Sequence, residues 1–220
     1  MMSRDKDLAA IEYEGWRLIE LGRQTPERVV PQYPTWTMRD LVVHTAEVHG
    51  RTAAVCESLP AERIAVAELP QEADPFEWAA EQLARMLEGL AMADPDAHVW
   101  TFVDDPALRF WIRRMVVETG VHRWDAHSAV GEPVELLTTV SRHGLDEFAA
   151  LYLPRLDDVQ TIELSATDLG RSWRYGPGEP TARIQGEASD LFLRLMSRPG
   201  VELPADWAAA VDALGSPADR

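Results

Sequence analysis

The hydrophobic period of this chain changes once, from about 3.6 residues to two, near residue 155. Before that point apolar side chains recur every three or four residues, for example in residues 8–19, and this is typical of amphipathic helices. After it apolar and polar residues alternate, for example in residues 161–164, and this is typical of half-buried strands. The sequence therefore predicts a mainly α chain, with a helical bundle at residues 1–153 and a small α+β domain at residues 154–220.

Five helices are expected in the first part. The second has a capping-box signal, because Thr37 and Asp40 have the spacing at which each side chain can satisfy a free backbone donor of the first turn, and it should run from Met38 to Ser58. Gly22 is expected to end the first helix. Apolar periods place the other helices near residues 78–90, 108–129 and 140–152. Four long amphipathic helices are what a four-helix bundle needs.

Charge and hydropathy exclude several classes of protein. The 220 residues include 21 basic and 37 acidic side chains, giving a net charge of −16, and the longest basic run is the pair Arg113 and Arg114. A nucleic-acid interface, which needs a basic stripe, is not expected. The longest apolar stretch, residues 148–153, is far shorter than the roughly 20 residues that span a bilayer, and the polar start does not read as an export signal. A cytoplasmic protein that acts on a small molecule is expected, and no pattern specifies an oligomeric state.

A carboxylate and an imidazole share the apolar face of the fourth helix. Glu118 and His122 are four residues apart, so their side chains stack on one side of a helix. That side also carries three apolar residues, Leu108, Trp111 and Met115. A carboxylate placed there is costly to bury unless something compensates its charge. A metal ion bound by both side chains would do so.

A third ligand is predicted on the second helix. His44 lies in an apolar stripe with Leu41, Val48 and Val55, so it should face the bundle interior together with Glu118 and His122. Three nitrogen and oxygen ligands without a fourth are typical of a catalytic, zinc-like site with open positions. The sequence therefore predicts a metal site at His44, Glu118 and His122.

Neighbouring residues allow other interpretations. His49 lies about 140° around the helix from His44 and should point away, and Cys56, the single cysteine, lies roughly 18 Å further along the helix, so it cannot share an ion with His44. Asp125 is either a carboxylate that orients His122 or a surface partner of an arginine, Arg123 or Arg114. Glu118 and His122 could also simply hydrogen-bond within a metal-free core. The remaining histidines, expected to be exposed, are His98, His127 and His143. The tryptophans expected to pack in the core or at the bundle end are Trp36, Trp111 and Trp124.

Two segments resemble a known family. The run Trp36-Thr-Met-Arg-Asp-Leu-Val-Val-His44 resembles the opening W-T-x-R-D-L-x-x-H, and Glu118-Thr-Gly-Val-His122-Arg-Trp-Asp125 resembles the segment E-x-x-x-H-R-W-D, of the mycothiol-dependent maleylpyruvate isomerase family. The resemblance extends to the second part of the chain through G-x-x-S-D-L at residues 186–191 and Ser-Arg-Pro at 197–199. It implies a DinB-like metal-binding four-helix bundle followed by a small α+β domain.

The resemblance also implies a chemistry. His44, Glu118 and His122 would bind a divalent metal, usually zinc, and mycothiol, a low-molecular-weight thiol of actinobacteria, would supply the sulfur that the protein itself does not. A thiolate would add to an activated double bond in an isomerase, or stay attached to an electrophile in an S-transferase. Arginines that could bind the carboxylates of such a substrate are Arg114, Arg174, Arg194 and Arg198. The alternative from another class is a non-catalytic protein that binds a metal or a small ligand.

Overall fold

Four helices build the N-terminal unit of the protein. The structure is a computed structural model and describes residues 4–132 and 134–214. The helices are α1 (Arg4–Gln24), α2 (Met38–Ser58), α3 (Pro75–Met92) and α4 (Arg109–Val130). A hairpin of two short antiparallel strands, β1 (Val29–Val30) and β2 (Tyr33–Thr37), connects α1 to α2. α1 packs chiefly on α4 and α2 chiefly on α3, so the predicted four-helix bundle is confirmed.

The C-terminal unit is a small three-stranded sheet with helices. Its elements are α5 (Thr138–Leu151), a 3₁₀ turn (Leu153–Arg155), β3 (Ile162–Ala166), β4 (Arg171–Tyr175), β5 (Ala182–Gly186), α6 (Ala188–Leu195) and α7 (Ala205–Ala213). β3 is the central strand, antiparallel to β4 and parallel to β5. The predicted α+β character of this part is confirmed.

The boundary between the two compact units lies at a different position in the sequence from the change of hydrophobic period. The contacts within the chain divide it between Val134 and Glu135, whereas the period placed the boundary after residue 153. α5 therefore belongs with the sheet, where it packs on α6 and β4. A Cβ at Gly144 of α5 would lie 2.2 Å from the ring of Phe192 in α6, so only glycine permits this close approach. The periodicity of α5 identifies a helix but not the unit on which it packs.

The capping box at the start of α2 is present. The Thr37 hydroxyl accepts a hydrogen bond from the Asp40 backbone N–H at 3.3 Å, and the Thr37 N–H donates to the Asp40 carboxylate at 2.8 Å. The helix begins at Met38 and ends at Ser58, as predicted. This end of α2 carries His44, so a local hydrogen-bond pair sets the start of the helix that presents the first candidate ligand.

Gly22 does not end α1, contrary to expectation. The helix continues to Gln24, and Gly22 is buried inside it. A Cβ at this position would lie 2.5 Å from Cγ2 of Val42 in α2. The glycine therefore serves the close packing of two helices, a tertiary role that the sequence pattern alone does not distinguish from a helix stop.

α4 is buried around its whole circumference over its central three turns. Every residue from Met115 to His127 is buried, although this stretch contains five ionisable side chains. Each such side chain then needs a partner inside the protein. The expectation that His127 is exposed is wrong for this reason, and His143 in α5 is also buried, whereas His98 is exposed as predicted. None of the helices in the described part of the chain is long and apolar enough to cross a membrane.

Candidate metal centre

Three side chains from α2 and α4 converge inside the bundle. Oε1 of Glu118 lies 3.5 Å from Nε2 of His44 and 3.2 Å from Nε2 of His122. One ligand atom from each of the three residues lies within 4.8 Å of the other two. Glu118 and His122 are buried, and His44 keeps about a fifth of its side chain exposed. The fold thus brings together the three residues whose helical spacing predicts a common site.

The donor set and its size fit a divalent ion. Ligand atoms about 2.1 Å from a tetrahedral ion are separated by about 3.4 Å, close to the two measured nitrogen–oxygen distances. Two imidazoles and one carboxylate are a common zinc donor set, and three protein ligands leave a position for an exogenous ligand. The residues present are therefore chemically and geometrically suited to the metal that the resemblance implies.

Asp125 orients His122. Its buried carboxylate lies 3.2 Å from Nδ1 of His122, and the opposite nitrogen of the ring, Nε2, faces Glu118. This is the arrangement in which a carboxylate fixes the tautomer and direction of a ligating histidine. Of the two interpretations of Asp125, the structure supports the orienting one.

Arg114 and Arg123 pair with other carboxylates. Arg114 forms a short ion pair with Glu118 one turn further along α4. Arg123 forms a buried ion pair with Glu14 of α1, including a 3.0 Å bond from Nη2. Arg114 is thus placed to hold the second oxygen of the Glu118 carboxylate, whereas Arg123 ties α1 to α4 beside the site.

The protonation states of the cluster depend on one another. Burial raises the pKa of Glu118, but Arg114 and His122 together hold it well below its usual range. Burial lowers the pKa of His122, but the charge of Glu118 and hydrogen bonds to Asp125 and Glu118 raise it to about 9. In the metal-free protein at neutral pH, His122 is therefore cationic and Glu118 anionic. A bound cation would take the place of the proton on Nε2.

A third histidine lies behind the cluster. His49 is buried, and its Nε2 is 2.9 Å from the hydroxyl of Thr119. It is not one of the clustered ligands, in agreement with its predicted direction. Burial lowers the pKa of His49 to about 3, because the neutral ring is preferred in this apolar setting.

Aromatic side chains of the β hairpin border the site. The Trp36 ring lies 5.0 Å from the ring of His44 and stacks on Tyr33 at 4.7 Å, and Tyr33 lies 6.0 Å from His122. The sequence predicts only a packing role for Trp36, but the structure also places its ring beside a candidate ligand. Trp111 and Trp124 are buried in the bundle, as predicted. The signal for Trp36 was its position eight residues before His44, across the helix start.

Arg51 is a neighbouring residue that the sequence reasoning missed. It lies on α2 seven residues after His44, and its guanidinium is 5.5 Å from the ring centre of Phe102 and 5.6 Å from that of Trp111. Seven residues are two helical turns, so Arg51 belongs to the same face as His44. An arginine inside an otherwise apolar stripe was the signal that could have identified it.

The other predicted arginines lie in the C-terminal unit. Arg198 is buried and donates to the Met196 carbonyl at 2.6 Å, just past the end of α6. The guanidinium thus lies where a cation complements the dipole of the helix. Arg194 pairs with Asp212 at 2.8 Å, and Arg174 is exposed with Glu163 at 4.0 Å. A role of these side chains in substrate binding stays a prediction.

Cys56 does not offer a thiolate. Burial raises the pKa of this thiol to about 12, so it is protonated at neutral pH. Its Cβ faces Gly89 of α3, where an added Cβ would lie 2.8 Å away. Cys56 therefore serves as a small packing residue between α2 and α3.

The fold and the site together define a class of protein. This class has a helical bundle with a cluster of two histidines and one glutamate in its interior, followed in the sequence by a small α+β unit. The model of the mycothiol maleylpyruvate isomerase N-terminal domain family matches residues 8–127, more than half of the chain and including all three candidate ligands. The chain belongs to this family, as its sequence motifs indicated.

Two solved structures share the fold. They are crystal structures of the mycothiol-dependent maleylpyruvate isomerase and of a mutant of it in which a histidine is replaced by alanine. Their TM-scores are 0.70 and 0.71 at 14% and 13% sequence identity, and each match covers 92% of this chain and 95% of the solved chain. No curated protein sequence matches the chain.

Proposed function

We propose that this protein is a metal-dependent enzyme that uses mycothiol to act on a small electrophilic substrate, as an isomerase or an S-transferase. The observation that carries the proposal is the convergence of His44, Glu118 and His122 inside the bundle. Family membership and the mycothiol dependence named for the structural relatives support the choice of thiol. The proposed metal is a divalent cation of the zinc type.

The side chains of the site would hold a cation by complementary roles. Glu118 would supply the negative charge, and His44 and His122 would present the Nε2 lone pairs that face Glu118, once His122 has lost its proton. Asp125 keeps the His122 ring in the required direction. When bound, a zinc-type ion lowers the pKa of a thiol ligand so that its sulfur is a nucleophile at neutral pH.

The chain requires an external thiol for this chemistry. Cys56 is protonated and, being twelve residues after His44 on α2, lies roughly 18 Å along the helix axis from it. The aromatic residues Trp36 and Tyr33 border His44 and His122. The distance of Cys56 from the cluster favours a thiol that would enter as a cofactor.

Metal analysis tests the site. Protein purified after growth with zinc is expected to contain about one equivalent of metal, and His122→Ala is expected to contain none, because a tridentate site reduced to two ligands loses most of its affinity. His98→Ala, which removes an exposed histidine, is the matched control and should retain the metal. Stoichiometric metal in His122→Ala, or none in the wild-type protein, would sink the proposed site.

A thiol titration separates the enzyme from a non-catalytic binding protein. Calorimetric titration with mycothiol should give saturable binding to the metal-loaded protein and none to His122→Ala or to chelator-treated protein. Binding that is absent with metal present, or that is equal with and without metal, would favour the non-catalytic alternative.

A further inference from the structure

Arg51 occupies an unusual electrostatic position. It is 9% exposed, and burial lowers its pKa while the nearby charge of Glu118 raises it. No carboxylate of the described residues lies within ion-pair distance of it, and it donates no hydrogen bond within that part of the chain. Its Nε is buried without a partner. A buried guanidinium normally has a bound anion or acceptor.

Arg114 differs from Arg51 in having a carboxylate partner. Both arginines lie close to Glu118, but only Arg114 forms an ion pair with it. Arg63, the other cation that acts on Arg51, is exposed and repels it. The carboxylate-rich surface of this chain, with a net charge of −16, thus supplies no counter-ion to Arg51, although many are available.

Two aromatic rings hold the guanidinium without using its hydrogen bonds. Arg51 lies over the rings of Phe102 and Trp111, and Trp111 is itself anchored by a 2.8 Å bond from its indole N–H to the Trp100 carbonyl. Phe102 is 39% exposed, so this end of the face reaches solvent. A cation–π contact stabilises the charge of a guanidinium and leaves its N–H groups free for an acceptor.

The geometry points to Arg51 as the carboxylate-binding residue of the site, receiving an anionic group of the substrate two helical turns from the candidate ligand His44. This inference rests on the proposed function for the identity of the ligand as substrate. Arg51 follows His44 by two turns of α2, and its guanidinium lies near enough to Glu118 to be influenced by the charge of that carboxylate. The ligand is therefore an electrophile that carries a carboxylate besides its reacting carbon. Arg51 acts by orienting that ligand, and a carboxylate can accept two parallel hydrogen bonds from it.

Succinate binding to the metal-free protein tests this assignment directly. Leaving the metal out prevents the probe from binding an ion, and Trp111, which lies beside Arg51, provides a fluorescence signal. Succinate is expected to bind the wild-type protein saturably at matched ionic strength, and its neutral diamide is not. In Arg51→Met the dissociation constant should rise about tenfold or more, since charge-assisted hydrogen bonds are lost.

Controls distinguish a binding role from a packing role. Arg39→Met removes an exposed arginine of the same helix and should leave succinate binding unchanged. If Arg51→Met does not fold, Arg51→Lys keeps the charge but loses the planar donor pair, and its affinity should fall several-fold relative to Arg39→Lys. Wild-type affinity in Arg51→Met or Arg51→Lys, or no succinate binding to the wild-type protein, would overturn the assignment.

Succinate binding and metal content can be measured separately, so the role of Arg51 and the metal site are tested independently. Arg51→Met should keep the metal content of the wild-type protein, because Arg51 contacts none of the ligands. Loss of succinate binding with normal metal content supports both proposals. Succinate binding through Arg51 in a protein that never holds metal would contradict the proposed function and leave Arg51 as an anion site.

Discussion

At the scale of single residues, the most consequential contact is the one between Asp125 and His122. Asp125 is completely buried, and a buried carboxylate without a partner would be costly. Its bond to Nδ1 compensates that cost and leaves Nε2 facing Glu118. One residue that touches no proposed ion therefore determines which ring nitrogen is offered to it.

Replacing Asp125 by Asn should weaken metal binding. The change keeps the size of the side chain but removes its charge, and loss of such an orienting carboxylate typically costs about 10–100-fold in metal affinity. Competition with a chromophoric chelator would measure the affinity. Glu12→Gln, an exposed acid-to-amide change on α1, serves as the control, and equal affinities in the two variants would contradict the orienting role.

The three candidate ligands could be predicted from the sequence at this scale. The residues around them could be predicted only in part. His44, Glu118 and His122 each stand out as polar residues in apolar stripes, and helical spacing alone places them on interior faces. Arg51 lies in the same stripe as His44 and was overlooked, because long basic side chains usually reach solvent. Its burial depends on Phe102, which lies on a loop whose path no helical period specifies.

At the scale of elements, α2 links a local sequence signal to the site. The capping box fixes the first turn of the helix, and His44 lies within the first two turns. The exact start of α2 could be predicted because its cause lies within four consecutive residues. The extent of α1 and the partner of α5 could not, because Gly22 and Gly144 act through contacts with Val42 and Phe192, which are distant in sequence.

Removing the cap should destabilise the bundle measurably. Thr37→Ala leaves the Asp40 N–H in the first turn of α2 without its acceptor, and such changes cost about 1 kcal/mol of unfolding free energy. Urea unfolding would measure this difference. Thr37→Ser keeps the hydroxyl and should be close to wild type, as should Thr35→Ala at the exposed neighbouring threonine. Equal losses in Thr37→Ala and Thr37→Ser would argue against the cap.

At the scale of the whole molecule, the acidic balance and the ionisable interior have separate consequences. Most of the carboxylates that give the net charge of −16 are exposed and oppose association with other anions. A few ionisable groups, among them Glu14, Glu118, His122 and Asp125, are buried in the bundle. These groups couple folding to pH.

The metal-free protein should lose stability as pH rises above neutrality. His122 has a pKa of about 9 in the folded protein, because Glu118 and Asp125 outweigh the effect of burial, against about 6.5 in an unfolded chain. The folded state then binds more protons between these values, so the His122 contribution is complete below about pH 6.5 and lost as pH passes about 9. Chemical unfolding across this range would show the decline.

The same measurement on two variants identifies the group responsible. His122→Gln should remove the decline, whereas His98→Gln, at an exposed histidine, should retain it. Because a bound cation takes the site of the proton, metal affinity of the wild-type protein should rise over the same interval. A decline of equal steepness in His122→Gln would assign the effect to another residue.

The buried pair of Glu14 and Arg123 determines how far the chain can be shortened from its amino terminus. α1 supplies no ligand, yet its Glu14 is the carboxylate that neutralises a guanidinium adjacent to His122 in the sequence. A truncation past Glu14 would remove this partner and part of the helix that packs on α4, so the guanidinium would lose both its counter-charge and its cover. A shortened protein that keeps the centre intact therefore needs α1, although α1 supplies none of the candidate ligands.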